Sequence, residues 1–263
     1  MNRTRMTVAE MLADKGKRQY SMIHIEDLNE ARAANAAGID LLSIEQPIWS
    51  PEMREAADDC FVFVGLLYGQ LVTTEDYLRA AHEAIRVGGD AVYCAAGLDT
   101  VGRLRAEGIP VCGHTGLIPS KRTWTGGFKA VGKTAATAMD VYRQVKDLEE
   151  AGAFAAEIEV VPERVATEIS KRTSLILLSM GAGAGCDAQY LFSTDILGYT
   201  DWHTPRHAKV YRDFAAEYYL LQQERIAAFG EYAADVGSGE YPQPEHVVGI
   251  DEQQFVEFLE LLD

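Results

Sequence analysis

Ile109–Lys133 reads I-P-V-C-G-H-T-G-L-I-P-S-K-R-T-W-T-G-G-F-K-A-V-G-K, and its reading sets the class of fold. The run Ile109–Cys112 is short, apolar and closed by glycine, the pattern of a buried strand. A long loop rich in glycine and basic residues follows, and helix-like sequence resumes near Ala135. Loops of that length inside a compact domain are more often functional than idle. His114 stands at the strand's exit, beside glycine backbone that a ligand can approach closely. Strand, functional loop and helix together make one βα unit.

The same unit recurs on both sides of it. Strand-like runs stand at Tyr20–His24, Leu41–Glu45, Cys60–Leu67, Ala91–Cys94, Pro110–Cys112, Phe154–Glu159, Leu175–Met180 and Gln189–Ser193. Helical patterns separate them, at Asn29–Ala37 with Gly38 as its stop, Thr74–Val87 with Thr74 as N-cap, Thr100–Ala106, Ala135–Ala151 and Pro162–Arg172. Pro47–Asp58 reads as loop with at most a short helix, and a long helix covers Lys209–Val236. The near-continuous apolar strands call for a parallel sheet covered by helices. The expected fold is an α/β (β/α)8 TIM barrel, one domain over residues 1–263 with a polar, mobile tail after about 237. A doubly wound open sheet is the competing arrangement.

A net charge of −16 lacks the basic footprint that a phosphate backbone or an anionic membrane demands, so neither is an expected partner. No apolar run is long enough to span a bilayer. Met1–Thr7 is polar with two arginines and does not read as a signal peptide. A cytoplasmic protein is expected. Cys60, Cys94, Cys112 and Cys186 are scattered without a metal-binding spacing, which suits buried thiols in a reducing compartment.

In a barrel of this kind the chemistry sits at the C-terminal ends of the strands. Those exits carry His24 and Glu26, Glu45 and Gln46, Gly65, Tyr93, His114, Glu159 and the glycine loop Gly181–Gly185. Alternation puts Glu157 and Glu159 on one face of their strand, Glu159 near the mouth and Glu157 a layer deeper. Glu159 suits a general base, or else an ion pair with a loop lysine or arginine. His114 is a hydrogen-bond donor to a substrate oxygen or a loop cap. Gly181 and Gly183 present backbone to an anion or form a tight turn.

At these residues the chain resembles the ketopantoate hydroxymethyltransferase family, whose barrel belongs to the phosphoenolpyruvate mutase/isocitrate lyase superfamily. The resemblance rests on A-G-I-D at Ala37–Asp40, V-C-G-H-T-G-L-I-P at Val111–Pro119 and G-G-F-K-A-V-G-K at Gly126–Lys133. It continues through L-E-E-A-G-A-F at Leu148–Phe154, E-V-V-P at Glu159–Pro162, G-A-G-x-G-C-D-x-Q at Gly181–Gln189 and Y-P-x-x-E-H at Tyr241–His246. It implies transfer of a one-carbon unit from methylenetetrahydrofolate to 2-oxoisovalerate, on the route to pantothenate, with Mg²⁺ holding the 2-oxoacid.

The resemblance makes Glu159 and His114 the catalytic residues, and Glu45, Gln46, Tyr93, Lys129, Gly181 and Gly183 the substrate-binding ones. It also locates the chain's departures. Glu45 and Gln46 stand where the family has aspartate and serine, and Gly65 where it has a second ligand aspartate. Tyr93 replaces a lysine and Ala95 an acidic residue. Of three acidic positions only Glu45 keeps a carboxylate, a poor cage for Mg²⁺. The expectation is therefore proton abstraction and C–C bond formation on a 2-oxoacid or related carbonyl compound, with the magnesium site lost. A metal-independent lyase or isomerase and a non-catalytic barrel subunit are the alternatives. The resemblance also implies a homo-oligomer. The aromatic and aliphatic stripe Phe214, Tyr218, Tyr219, Leu220 and Leu221 is expected either to cover the barrel or to serve that interface.

Overall fold

The computed structural model describes residues 5–200 and 203–262, so the first four residues of the polar N-terminal stretch lie outside the described range. Two compact units divide between Arg212 and Asp213. In the first, eight parallel strands run in chain order round a closed barrel. They are β1 (Tyr20–His24), β2 (Leu41–Glu45), β3 (Phe61–Gly65), β4 (Ala91–Tyr93), β5 (Val111–Gly116), β6 (Ala155–Glu159), β7 (Ile176–Met180) and β8 (Ala188–Phe192). The ladder pairing Tyr20–His24 with Ala188–Phe192 closes the ring and excludes the open sheet.

Side-chain alternation divides the apolar residues into two cores. Tyr20, Met22, Leu41, Phe61, Phe63, Ala155, Ile176, Leu178 and Tyr190 point into the barrel and pack on one another. Leu42, Ile44, Val62, Val64, Val92, Val111, Ala156, Ile158 and Leu177 point outward, beneath the helices. Those helices are α2 (Leu28–Ala37), α3 (Pro51–Ala57), α4 (Thr74–Arg86), α5 (Leu98–Ala106), α7 (Ala135–Glu150) and α8 (Glu163–Ser170). The filled interior leaves room for chemistry only at its rim.

Four local features differ from expectation. α1 (Val8–Ala13) is too short to announce itself by periodicity, yet Met11 is fully buried in the barrel-interior cluster, so α1 plugs one end. It is tied there by Lys15, whose Nζ donates to Asp187 Oδ2 at 2.7 Å and to the Leu175 carbonyl at 2.6 Å. The cap of α4 is Thr73, whose hydroxyl accepts from Asp76 N while Asp76 returns a bond to Thr73 N. Thr74 instead bonds Thr100 across to α5. The strand β5 extends past Cys112 to Gly116, so His114 is a strand residue and its side chain is fixed by the pleat. The loop after it holds a 3-10 turn at Pro119–Lys121 and the short α6 (Arg122–Thr125). A last short helix, α9 (Ser193–Leu197), follows β8.

The second unit comprises α10 (Phe214–Ser238), a 3-10 turn at Pro244–His246 and α11 (Glu252–Glu260). The tail after 237 is thus no plain polar extension. Phe255, Val256, Phe258 and Leu259 recur at helical spacing, and Asp251 caps α11 by accepting from Gln253 N and Gln254 N. Among the described residues no helix is long and apolar enough to cross a membrane.

Candidate active site

The strand register assembles the site. β5 and β6 pair His114 with Glu157 and Gly116 with Glu159, which sets a histidine and two carboxylates side by side on the inner wall. β4 contributes Tyr93, in register with Cys112. The Tyr93 hydroxyl lies 2.5 Å from His114 Nδ1 and 2.7 Å from Glu157 Oε2. His114 Nε2 lies 3.0 Å from Glu159 Oε2 and 3.0 Å from the Leu117 carbonyl oxygen. Glu157 is only 3% exposed and Glu159 9% exposed, so their charges depend on these neighbours. The ion-pair partner of Glu159 is His114, and among the described residues no loop lysine or arginine takes that place.

Local backbone fixes Glu159. Gly116 has φ +82, and a Cβ there would stand 2.4 Å from the Glu159 carbonyl oxygen. Glycine lets β5 fold over so that Leu117 N donates to that same oxygen at 2.9 Å. The turn also aims the Leu117 carbonyl at His114. Directly after Glu159, Val160 adopts φ +49, a conformation a β-branched residue avoids. Its backbone is held by Val160 N to Met180 O and by Val131 N to Val160 O. Strain of this kind persists only where its surroundings over-determine it, and it gathers at functional sites.

Opposite these residues the rim is sparse. Glu45, at the end of β2, is in register with Gly65 on β3. A Cβ on Gly65 would lie 3.1 Å from Glu45 Oε2 and 3.3 Å from its carboxyl carbon, so the glutamate occupies the space that glycine leaves. Burial raises the Glu45 carboxyl above its ordinary range. His24 is buried beside Ser43, its Nδ1 3.4 Å from the hydroxyl and its ring 4.7 Å from Phe192. Burial without a charged partner pushes its pKa down to about 4, so this imidazole is neutral. Gln46 opens the 3-10 turn Gln46–Ile48 after β2 and is half-buried.

Other expected residues stand apart from the cluster. Lys129 is exposed and folds back on the loop, its Nζ 3.1 Å from where a Gly126 Cβ would be. The Gly181–Gly185 turn is closely packed at its three glycines: a Cβ would meet His207 at Gly181, Glu163 at Gly183 and Thr167 at Gly185. The Ala182 N–H is spent on Ser179 Oγ, and the Gly183 carbonyl accepts from Ser179 and Gln189. His207, on the segment after α9, rests its ring against Gly181 and feels the charge of Glu159. No spacing in the sequence connects it to the strand exits, so it was not legible there.

The three ligand atoms of His114, Glu157 and Glu159 lie within 4.8 Å of one another, the only such group among the described residues. Mutual hydrogen bonds account for that closeness, and Nε2 faces a carbonyl that can only accept. A cation there would have to displace this proton. A broad groove of about 680 Å³ between α4, α5 and α7, lined by Thr74, Leu98, Arg103 and Asp147, lies on the outer helix layer and receives none of the inward-facing groups. All four cysteines are buried thiols.

The comparisons with known proteins agree on one family. The sequence profile of ketopantoate hydroxymethyltransferase matches residues 50–244. A 3-methyl-2-oxobutanoate hydroxymethyltransferase of Kosmotoga olearia is 32% identical over 266 residues, 92% of this chain and 97% of that protein. One from Pyrobaculum calidifontis is 32% identical over 270 residues, covering 94% and 99%. The structure of 2,3-dimethylmalate lyase, a PEP mutase/isocitrate lyase superfamily member, superposes with a TM-score of 0.50 at 14% identity, over 97% of this chain and 99% of that one, and shares the barrel. With a matching profile over most of its length and full-length relatives at this identity, the chain belongs to the ketopantoate hydroxymethyltransferase family.

Proposed function

We propose that the chain acts on a 2-oxoacid or a closely related carbonyl compound, removing a proton from the carbon beside the carbonyl and joining that carbon to a one-carbon unit. The observation that carries this reading is the Glu159–His114 pair at the rim, a carboxylate and a ring N–H 3.0 Å apart. Glu159 takes the proton as general base. The electron pair moves into the carbonyl, and its oxygen accepts a hydrogen bond from His114 Nε2–H, now shared with Leu117. When the carbonyl re-forms, the carbon attacks a one-carbon unit at the formaldehyde level, its C=O π pair moves onto the oxygen, and that oxygen takes the proton held by Glu159. With the family's donor, methylenetetrahydrofolate, as second substrate, water first releases that unit by breaking its bonds to the two folate nitrogens, and tetrahydrofolate leaves.

The residues of this chain do not fit the family's Mg²⁺. One carboxylate, Glu45, stands where three acidic groups belong, and its oxygens sit over Gly65. Mg²⁺ needs near-octahedral oxygen ligation, which a single glutamate does not supply. No step is therefore routed through the ion. Enolate charge then falls to hydrogen-bond donors, which act strongly in a site shielded from water. The same substitutions favour a second reading, a lyase or isomerase that uses the enolate without the one-carbon unit. We propose further that the protein assembles as a homo-oligomer through α10, whose Tyr219, Leu220 and Phe229 are exposed. Light scattering reads that directly.

The test of the function is exchange. Purified protein with 2-oxoisovalerate in D2O is expected to wash the proton from the carbon next to the carbonyl, seen by proton NMR. Adding a formaldehyde-level donor should yield the hydroxymethylated product. Exchange without product would select the lyase or isomerase reading, and no exchange at all would reject both.

A further inference from the structure

The deep carboxylate Glu157 has no part in the reaction just described, yet it is joined to it through Tyr93. Protons can be counted along the chain of contacts. His114 Nε2 faces the Leu117 carbonyl and Glu159 Oε2, both of which accept, so Nε2 carries a hydrogen. Tyr93 has one hydroxyl proton and two close partners, His114 Nδ1 at 2.5 Å and Glu157 Oε2 at 2.7 Å. If Tyr93 donates to Glu157, Nδ1 must donate to Tyr93, and the ring is a cation. If Tyr93 donates to Nδ1, Glu157 must itself be protonated. Either way the Glu157–His114 pair holds one proton more than a neutral ring beside a bare carboxylate.

The surroundings decide where that proton rests. Two carboxylates lie beside the ring, Glu157 Oε1 at 3.9 Å and Glu159 Oε2 at 3.0 Å from Nε2. Resting on the proposed reaction, we propose that Glu157 is a positioning residue that acts through Tyr93 to hold His114 as an imidazolium at the rim. A fixed organic cation then stands beside Glu159, in a site that has lost the carboxylates for a divalent one. The groups facing Glu157 are Tyr93, Cys112, His114, Glu159 and Tyr190. Burial keeps Tyr93, Cys112 and Tyr190 protonated, pushing all three well above their ordinary range. Burial opposes charge on His114, but Glu157, Glu159 and the Leu117 carbonyl together raise it. Burial and the Glu159 charge raise Glu157, and the His114 charge and the Tyr93 hydrogen bond oppose them, so the proton's place is decided between Glu157 and His114. On the far side of Glu159, burial lowers His207, so the second imidazole near the base does not compete for this role.

The experiment is nitrogen-15 NMR of histidine-labelled full-length protein across pH 6–9, with His114 assigned by loss of its signals in His114→Asn. Doubly protonated shifts for His114 persisting at pH 8 are expected. In Glu157→Gln the ring should be neutral at pH 8, carrying hydrogen on Nε2. Tyr93→Phe, which cuts the link but keeps the ring, should do the same and serves if Glu157→Gln does not fold. Exchange of 2-oxoisovalerate by Glu157→Gln should fall about 100-fold in kcat at pH 8, with KM little changed and the basic limb of the profile moved to lower pH. A His114 that is neutral at pH 8 in the unaltered protein, or equally charged in both variants, overturns the inference. A cationic His114 in a protein that exchanges nothing would leave the inference standing and sink the proposed reaction.

Discussion

The two halves of the barrel rim carry the same kinds of residue in opposite states. On the β1–β3 side, His24 has only a hydroxyl and a phenyl ring for company, and burial empties it of charge. Glu45 leans over a glycine. On the β4–β6 side, Tyr93, His114, Glu157 and Glu159 form a continuous chain of contacts between 2.5 and 3.0 Å. Burial lowers the pKa of one imidazole, while the neighbours of the other raise it. The difference is made by carboxylates, which lower the cost of a buried cation by supplying its counter-charge.

The largest expected effect tests the charged half. Glu159→Gln keeps the shape and removes the base, and proton exchange on 2-oxoisovalerate should fall about 10³-fold. A variant within a few-fold of the unaltered protein would move the base elsewhere. Gly116→Ala comes next, because its methyl would press on the Glu159 carbonyl in a backbone region closed to alanine. Loss of about 4 kcal/mol is expected in urea unfolding, combining strain and overpacking. An unchanged midpoint would mean that the β5–β6 end is looser than described.

The neutral half is tested by acid. Between the ordinary histidine value of 6.5 and the folded value of about 4, the unfolded chain binds a proton at His24 that the folded chain refuses. Stability should therefore fall as pH drops through that window, with His24 responsible for about 3 kcal/mol at most. His24→Phe should flatten the slope of unfolding free energy against pH between 6.5 and 4.5. A slope equal to that of the unaltered protein would contradict a neutral His24. The smallest effect converts one half toward the other. Gly65→Asp with Ala95→Glu returns two carboxylates beside Glu45, and Mg²⁺ at ten times its dissociation constant should then stabilise the variant by about 1.4 kcal/mol. Scanning calorimetry with and without the ion reads this, and stabilisation of the unaltered protein to the same extent would mean its cage is intact.

Sequence reasoning reached the barrel because each strand carries its own apolar signal and each helix its own stop. It reached the layering of Glu157 beneath Glu159 because alternation along a strand is local. It ended β5 too early, at Cys112, since Gly113 and His114 look like loop residues until Glu157 and Glu159 pair with the extended strand. The Tyr93–His114–Glu157 chain spans three strands, and contacts so distant in sequence leave no spacing to detect. The α1 plug and His207 were missed for the same reason, their roles being defined only by what they pack on. The expectation that carboxylates are replaced at Gly65 and Ala95 rests on the family's motifs alone. The structure adds that Glu45 fills the space opened at Gly65.

The measurement that bears most directly on the account is deuterium exchange into 2-oxoisovalerate by chelator-treated protein, run with and without added Mg²⁺. The account predicts exchange at the same rate in both, abolished by Glu159→Gln. Exchange that appears only when Mg²⁺ is added would contradict it, and would return the work of the sparse half of the rim to a metal ion.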